Sequence, residues 1–175
     1  QFHDLQIHPR DHDLVAATHG RSIYVLDDIT GLEQLSPEVR RAPVTLLAPR
    51  PARGFYMRGR GGMWGNDQFG VKSPPPQATL NYWIHDRDRA GAKLTVKDSL
   101  GHLVRELEGP AESGLNRIAW DLTRERDERY DEPEAQAGGQ FAFVPAGRYD
   151  LELTVGKEKS RARLVVSYPA GVGPK

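Results

Sequence analysis

The strongest constraint on the fold is the alternation of apolar and polar residues in the second half of the chain. In GRYDLELTV every second residue from Tyr149 to Val155 is apolar. The same alternation runs through TLNYWI, KLTVK, GLNRIAWDL and ARLVVSY. Because successive side chains of a strand point to opposite faces, each segment predicts a strand with one apolar face. Short strands of this kind predict two antiparallel sheets packed face to face, with Trp120 and Tyr149 between them.

The stretch DLVAATHGRSIYVLDD, residues 13–28, predicts a β-hairpin of a different kind. Gly20 tolerates positive φ, so a tight turn is expected near His19-Gly20-Arg21. Both arms are apolar on both faces, whereas a half-buried hairpin would alternate. Strands of this composition need cover on both faces. A short strand is also expected just before the hairpin, from Asp4 to His8.

The region that follows predicts one short helix and then an irregular connection. Ser36 before Pro37 indicates a helix with Ser as N-cap and Pro at its first position, ending near Arg41 before Pro43. The segment VTLLAP, residues 44–49, predicts a further strand. Residues 50–76 are rich in Gly and Arg, lack periodicity and end in three prolines, which indicates an irregular, partly stiff connection. Its aromatic residues suggest that it is pinned onto a neighbouring surface.

Composition excludes several classes of protein. The 24 basic and 24 acidic residues balance, so no net charge attracts nucleic acid or an anionic membrane. No stretch approaches the roughly 18 apolar residues of a membrane span. Without cysteine, disulfides and thiolate metal sites are excluded. High glycine and proline contents and weak helical periodicity favour an all-β chain.

Almost every residue from Arg124 to Glu134 is charged, which predicts a mobile surface insertion between Thr123 and Phe143. An acidic cation site is the alternative, because Asp127, Asp131 and Glu134 could converge there. The interleaved arginines and the absence of the glycine spacing of a calcium loop favour the solvated insertion.

Three motifs follow one another in the second half: KDSLGHLVREL, GLNRIAWDL and VPAGRYDLELTV. Their order resembles that of the Ig-like domain of flagellar hook-capping proteins and of related fibronectin-type sandwiches in bacterial exported proteins. The matching positions are Asp98, Gly101, Val104 and Arg105, then Trp120 and Asp121, then Pro145, Gly147 and Tyr149. Two glycines at turns and two large aromatic core residues are what such a sandwich requires.

The stretch IHPRDHDLVAATHGRSIYVLDDITGLEQL is similar to the closing blade of BNR-repeat or sortilin-like propellers of bacterial exported proteins, which are described as glycosyl hydrolase-like. Blades stack around an axis, so neighbouring blades would supply the cover that the hairpin needs. The resemblance therefore implies an all-β chain with a terminal propeller-blade fragment (residues 1–49), a Gly/Pro-rich connection (50–76) and an Ig-like β-sandwich (77–169).

These resemblances imply a non-catalytic accessory region of an exported propeller protein, located in the periplasm, outside the cell or on its surface. Its expected partners are the remaining blades or a second copy of the chain. One alternative is a carbohydrate-binding module or part of a glycoside hydrolase, with Trp64 or Trp83 stacking on a sugar. Another is a protein-interaction module that pairs through a sheet edge.

The sequence predicts no catalytic residue, no metal ligand and no cofactor site. His3, His8 and His12 lie near aspartates, but their spacing fits neither a strand nor a helix ligand pattern, so surface histidines are expected. His19 beside the turn would face a propeller channel or pack locally. Asp27 and Asp28 point to opposite faces if the strand continues, so they form no ready acid–base pair. Nucleophile elbows and phosphate-binding loops are absent.

Overall fold

The computed structural model describes residues 2–20, 22–55, 76–87, 91–124, 143–171 and 174. These residues are mostly β, which confirms the all-β class. The elements are, in chain order, β1 (Phe2–Ile7), β2 (Leu14–Thr18), β3 (Ile23–Leu26), α1 (Thr30–Glu33), α2 (Pro37–Arg41), β4 (Val44–Leu46), β5 (Ala52–Arg53), β6 (Ala78–Ile84), β7 (Ala92–Lys97), β8 (Leu103–Gly109), β9 (Gly114–Trp120), β10 (Gly147–Val155) and β11 (Glu158–Ser167).

The strands form three sheets within the described residues. A five-stranded sheet has the order β5-β11-β10-β7-β8, and a three-stranded sheet has the order β4-β6-β9. Their pairings are antiparallel, except that β5 runs parallel to β11. A separate three-stranded sheet, β1-β2-β3, is formed by the N-terminal segment.

The five-stranded sheet and the β4-β6-β9 sheet share one hydrophobic core, formed by the apolar faces that the alternation predicted. Trp120 is fully buried, and its ring lies edge-on to Tyr149 with centroids 5.7 Å apart. The Trp120 Nε1–H donates to the Thr123 carbonyl at 2.8 Å. The predicted burial of both aromatic residues is confirmed. Other fully buried members include Leu80, Tyr82, Ile84, Leu94, Leu151, Leu153 and Leu164.

Charged pairs occupy the outer face of the five-stranded sheet. Glu152 on β10 accepts from Lys159 Nζ at 2.8 Å and from Arg161 Nε at 2.7 Å, both on β11. The hydrogen bond from Lys159, and to a smaller extent the one from Arg161, lowers the pKa of Glu152 to about 2. This face is therefore built for contact with water rather than with another sheet.

Local signals in the N-terminal segment were predicted correctly. Gly20 has φ of 75° in the turn between β2 and β3, which pair over the expected arms. The Ser36 hydroxyl caps α2 by accepting from the Val39 N–H at 3.3 Å, and the helix ends at Arg41 as expected. None of the helices in the described ranges is long and apolar enough to cross a membrane.

Two short strands join the regions that the sequence separated. β4, from the segment assigned to the blade fragment, pairs with β6 of the segment assigned to the sandwich. β5, at the start of the connection expected to be irregular, pairs with Val166 and Ser167 at the end of β11. Two residues are too few to produce a periodic pattern, so this pairing had no sequence signal. The segment 56–75 with Trp64, and the predicted insertion from position 125 to 142, lie outside the described residues.

Candidate functional site

The most distinctive polar cluster lies where the chain leaves β3. Asp28 has φ of 50° and is 5% exposed. Its Oδ1 accepts from Thr30 Oγ1 at 2.6 Å, and its Oδ2 lies 3.3 Å from Arg50 Nε. The Asp28 N–H donates to Asp13 Oδ1 at 2.9 Å, and Arg50 also donates to the Asp11 carbonyl. A buried carboxylate requires such partners, so Asp28 ties the N-terminal sheet to the segment after α2.

Arg117 on β9 extends this junction to the core sheets. Its Nε donates to Asn81 Oδ1 at 3.0 Å, and its terminal nitrogen donates to the Asp28 carbonyl at 2.9 Å. Asn81 on β6 is 4% exposed. Gly31 of α1 makes this approach possible, since a Cβ there would lie 2.8 Å from Asn81 Cγ. The hydrogen bond from Arg117 to the Asp28 carbonyl and the close packing of Gly31 on Asn81 therefore hold the residues after β3 to the outer face of β9 and β6.

A cleft of about 240 Å³ opens at this junction. One wall comes from the end of β3 and from α1, and the other from β6 and β9. Four lining residues are aliphatic and four are polar or charged: Leu26, Ile29, Leu32 and Leu115, and Asp28, Asn81, Asn116 and Arg117. Leu26 and Leu32 are each about half exposed, so the mouth of the cleft is apolar and open.

The β1-β2-β3 sheet carries an exposed apolar surface. Cross-strand partners share a face, which places Ile7, Leu14 and Leu26 in one row and Leu5, Ala16 and Tyr24 in the next. Large side chains at least half exposed on this sheet make up what is called here the apolar sheet surface: Phe2, Leu5, Ile7, Ile23, Tyr24, Val25 and Leu26. The described residues therefore do not supply the cover that the sequence predicted this hairpin to need.

The histidines make local contacts. His3 Nε2 lies 2.7 Å from His19 Nδ1, and His12 Nδ1 lies 2.9 Å from a Glu33 oxygen. His8 Nδ1 lies 3.3 Å from Asp11. In the part of the chain that the structure describes, no group of three or more His, Asp or Glu residues could hold a metal ion. Asp27 and Asp28 lie beyond the end of β3, and the Asp28 carboxylate is engaged as described above.

Of the two tryptophans considered for sugar stacking, only Trp83 is described. It lies on β6, between the cross-strand neighbours Thr45 and Leu115, and is partly buried. Its Nε1–H is buried and has no hydrogen-bond partner within the described ranges. A stacking role for Trp83 or Trp64 stays a prediction.

The polar junction was missed at the sequence level. Its members Asp28, Arg50, Asn81 and Arg117 are far apart in the sequence and share no motif. The local signal was limited to two residues. Asp28 stands at the end of a predicted strand, and Gly31 lies two positions after Ile29. No protein-family model matches the sequence, and no curated protein matches it.

Proposed function

We propose that this chain is a non-catalytic structural region of an exported propeller protein, and that its N-terminal sheet packs against neighbouring propeller blades. In this proposal β1-β2-β3 with α2 is a partial blade, and the two sheets around Trp120 form an Ig-like or fibronectin-type sandwich that buttresses it. The remaining blades of the same protein are the partner, and the compartment is periplasmic, extracellular or cell-surface.

The observation that carries the proposal is the apolar sheet surface. Side chains of this size, at least half exposed, leave an apolar area of roughly a few hundred Å² spread over the two faces of the sheet, and exposed apolar patches of this order are often functional. Full burial of each aliphatic member would contribute about 1.5–3 kcal/mol. Exposed residues occupy both faces, as expected for a sheet stacked between two others.

The edge of this sheet supports the same proposal. β3 pairs only with β2 among the described strands, and its four residues are all apolar. Edge strands in soluble proteins usually carry a charge, a proline or a bulge that blocks pairing with a further strand. β1 at the opposite edge has Asp4 and a bulge near Phe2, whereas β3 has neither. A neighbouring strand or blade is therefore expected on the β3 side.

The test is the association state of the chain by sedimentation velocity over a range of concentrations. Without its blades, the wild-type chain is expected to self-associate through the apolar sheet surface. Val25→Asp should shift it towards monomer, because Val25 is 57% exposed on β3. Val165→Asp is the matched control, since Val165 is 43% exposed on β11 outside this surface. A wild-type chain that stays strictly monomeric would refute the proposal.

A further inference from the structure

The cleft between α1 and β9 combines aliphatic walls with hydrogen-bond donors that lack partners. Its aliphatic residues Leu26, Ile29, Leu32 and Leu115 can accept an apolar group but cannot orient it. Orientation in ligand sites comes from a few polar groups placed among apolar walls. The polar groups of this cleft therefore indicate which ligand chemistry it would accept.

Arg117 supplies a cationic group that no carboxylate neutralises among the described residues. Two of its nitrogens donate to the neutral acceptors Asn81 Oδ1 and the Asp28 carbonyl. The third nitrogen has no partner in the described ranges. The Asp28 carboxylate does not compensate it, because Thr30 and Arg50 engage its oxygens. The guanidinium thus keeps both its charge and a free donor edge for an anion.

Asn81 supplies a second donor without a protein partner among the described residues, on a side chain that is largely buried. The bond from Arg117 Nε fixes Oδ1 as the acceptor, which leaves Nδ2 on the other side of the amide. Nδ2 has no hydrogen-bond partner within the described residues, although the side chain is 4% exposed and lines the cleft. Asn116, the other amide of the cleft, is satisfied by Glu112 and Gly114. Because Nδ2 keeps contact with solvent, it is open to water or to a ligand in the cleft.

We propose that this cleft binds a carboxylate carried on a small branched aliphatic group. Arg117 and Asn81 Nδ2 donate to the carboxylate oxygens, and the aliphatic group packs between Leu26, Ile29, Leu32 and Leu115. The volume of about 240 Å³ lies just below the usual range for drug-sized ligands, so it suits a group of the size of one leucine. A free branched-chain acid and the C-terminal residue of a peptide present the same chemistry.

The test is a titration of the chain with N-acetyl-leucine, followed by the NMR signals of the Asn81 side-chain amide and of Arg117 Nε–H. A ligand of this size with one charge is expected to bind with a Kd of about 1 mM. N-acetyl-leucinamide, which lacks the charge, should bind at least about tenfold more weakly. A short peptide ending in Leu distinguishes the sources: tighter binding than N-acetyl-leucine assigns the site to a chain terminus, and equal binding assigns it to a free acid.

Two variants separate the cleft from the rest of the molecule. Arg117→Gln removes the charge and should weaken N-acetyl-leucine binding about tenfold or more. Leu32→Asp, at a half-exposed position of α1, places a negative charge at the mouth of the cleft, where it would repel the carboxylate of the ligand. It should therefore also weaken binding about tenfold or more without altering the core. Arg148→Gln, at an exposed position of β10, is the control and should bind as the wild type does. Equal affinity for acid and amide, or unchanged binding by both cleft variants, would overturn the inference.

Discussion

Replacement of Trp120 by Ala tests whether this side chain lies at the centre of the core that the two sheets share. The side chain is fully buried, contacts Tyr149 edge-on and donates its Nε1–H to Thr123. Truncation of a buried tryptophan removes its transfer free energy and leaves a cavity, which together destabilise by about 3–5 kcal/mol. Since small domains are stable by about 5–15 kcal/mol, this change should remove a large fraction of the free energy of unfolding.

Trp120→Phe is the matched variant for that experiment. It keeps an aromatic ring near Tyr149 but removes the donor to the Thr123 carbonyl and part of the ring volume, so a loss of about 1–2 kcal/mol is expected. Urea unfolding, followed by tyrosine fluorescence and circular dichroism, gives the loss of stability for both variants. The slope of the free energy of unfolding against urea concentration must be the same as in the wild type. A loss below about 1 kcal/mol for Trp120→Ala would refute its place at the centre of the core.

Two further predictions concern Tyr82 in that core and Gly109 beside it. Burial raises the pKa of Tyr82 to about 12 from 10.0, so the unfolded chain loses its phenol proton first and stability should fall between pH 10 and 12. Urea unfolding in that pH range should show that the free energy of unfolding falls less steeply with pH in Tyr82→Phe than in the wild type. The fall that remains in this variant is due to Tyr149, because burial also raises the pKa of that residue. Gly109→Ala would place a Cβ against the Ile118 side chain and 2.6 Å from the Tyr82 hydroxyl oxygen, and should destabilise by about 1–3 kcal/mol in thermal unfolding. Gly147→Ala would place its Cβ 4.0 Å from the Tyr149 ring, an ordinary contact, and should change stability by no more than about 0.5 kcal/mol. An equal loss in both variants would contradict the steric argument.

Local chemistry explains what could be predicted from the sequence. Alternation identified the buried faces of β6, β7, β9, β10 and β11, because burial on one side of a strand imposes a period of two. Gly20 and Ser36 marked a turn and a helix start, because each satisfies a local backbone requirement. These signals depend only on neighbouring residues, so tertiary structure did not need to be known.

The candidate cleft could not be predicted in this way. Arg117 was assigned only to the polar face of its strand, and Asn81 lay between the apolar residues of β6 without any distinguishing mark. Their meeting depends on Gly31 of α1, a four-residue helix that the sequence did not predict. Its Ile29 N-cap makes no side-chain cap hydrogen bond, so the usual start signal was missing.

The crossing of the chain from β4 in one core sheet to β5 in the other has a consequence for folding order. The Leu46 N–H donates to Ser160 Oγ at 2.8 Å across 114 positions of sequence, and β5 pairs with the end of β11. Contacts so distant in sequence require closure of long loops and are associated with folding in milliseconds to seconds rather than microseconds. During synthesis, β4 and β5 therefore cannot complete these contacts until residues up to Ser167 at the end of β11 have left the ribosome.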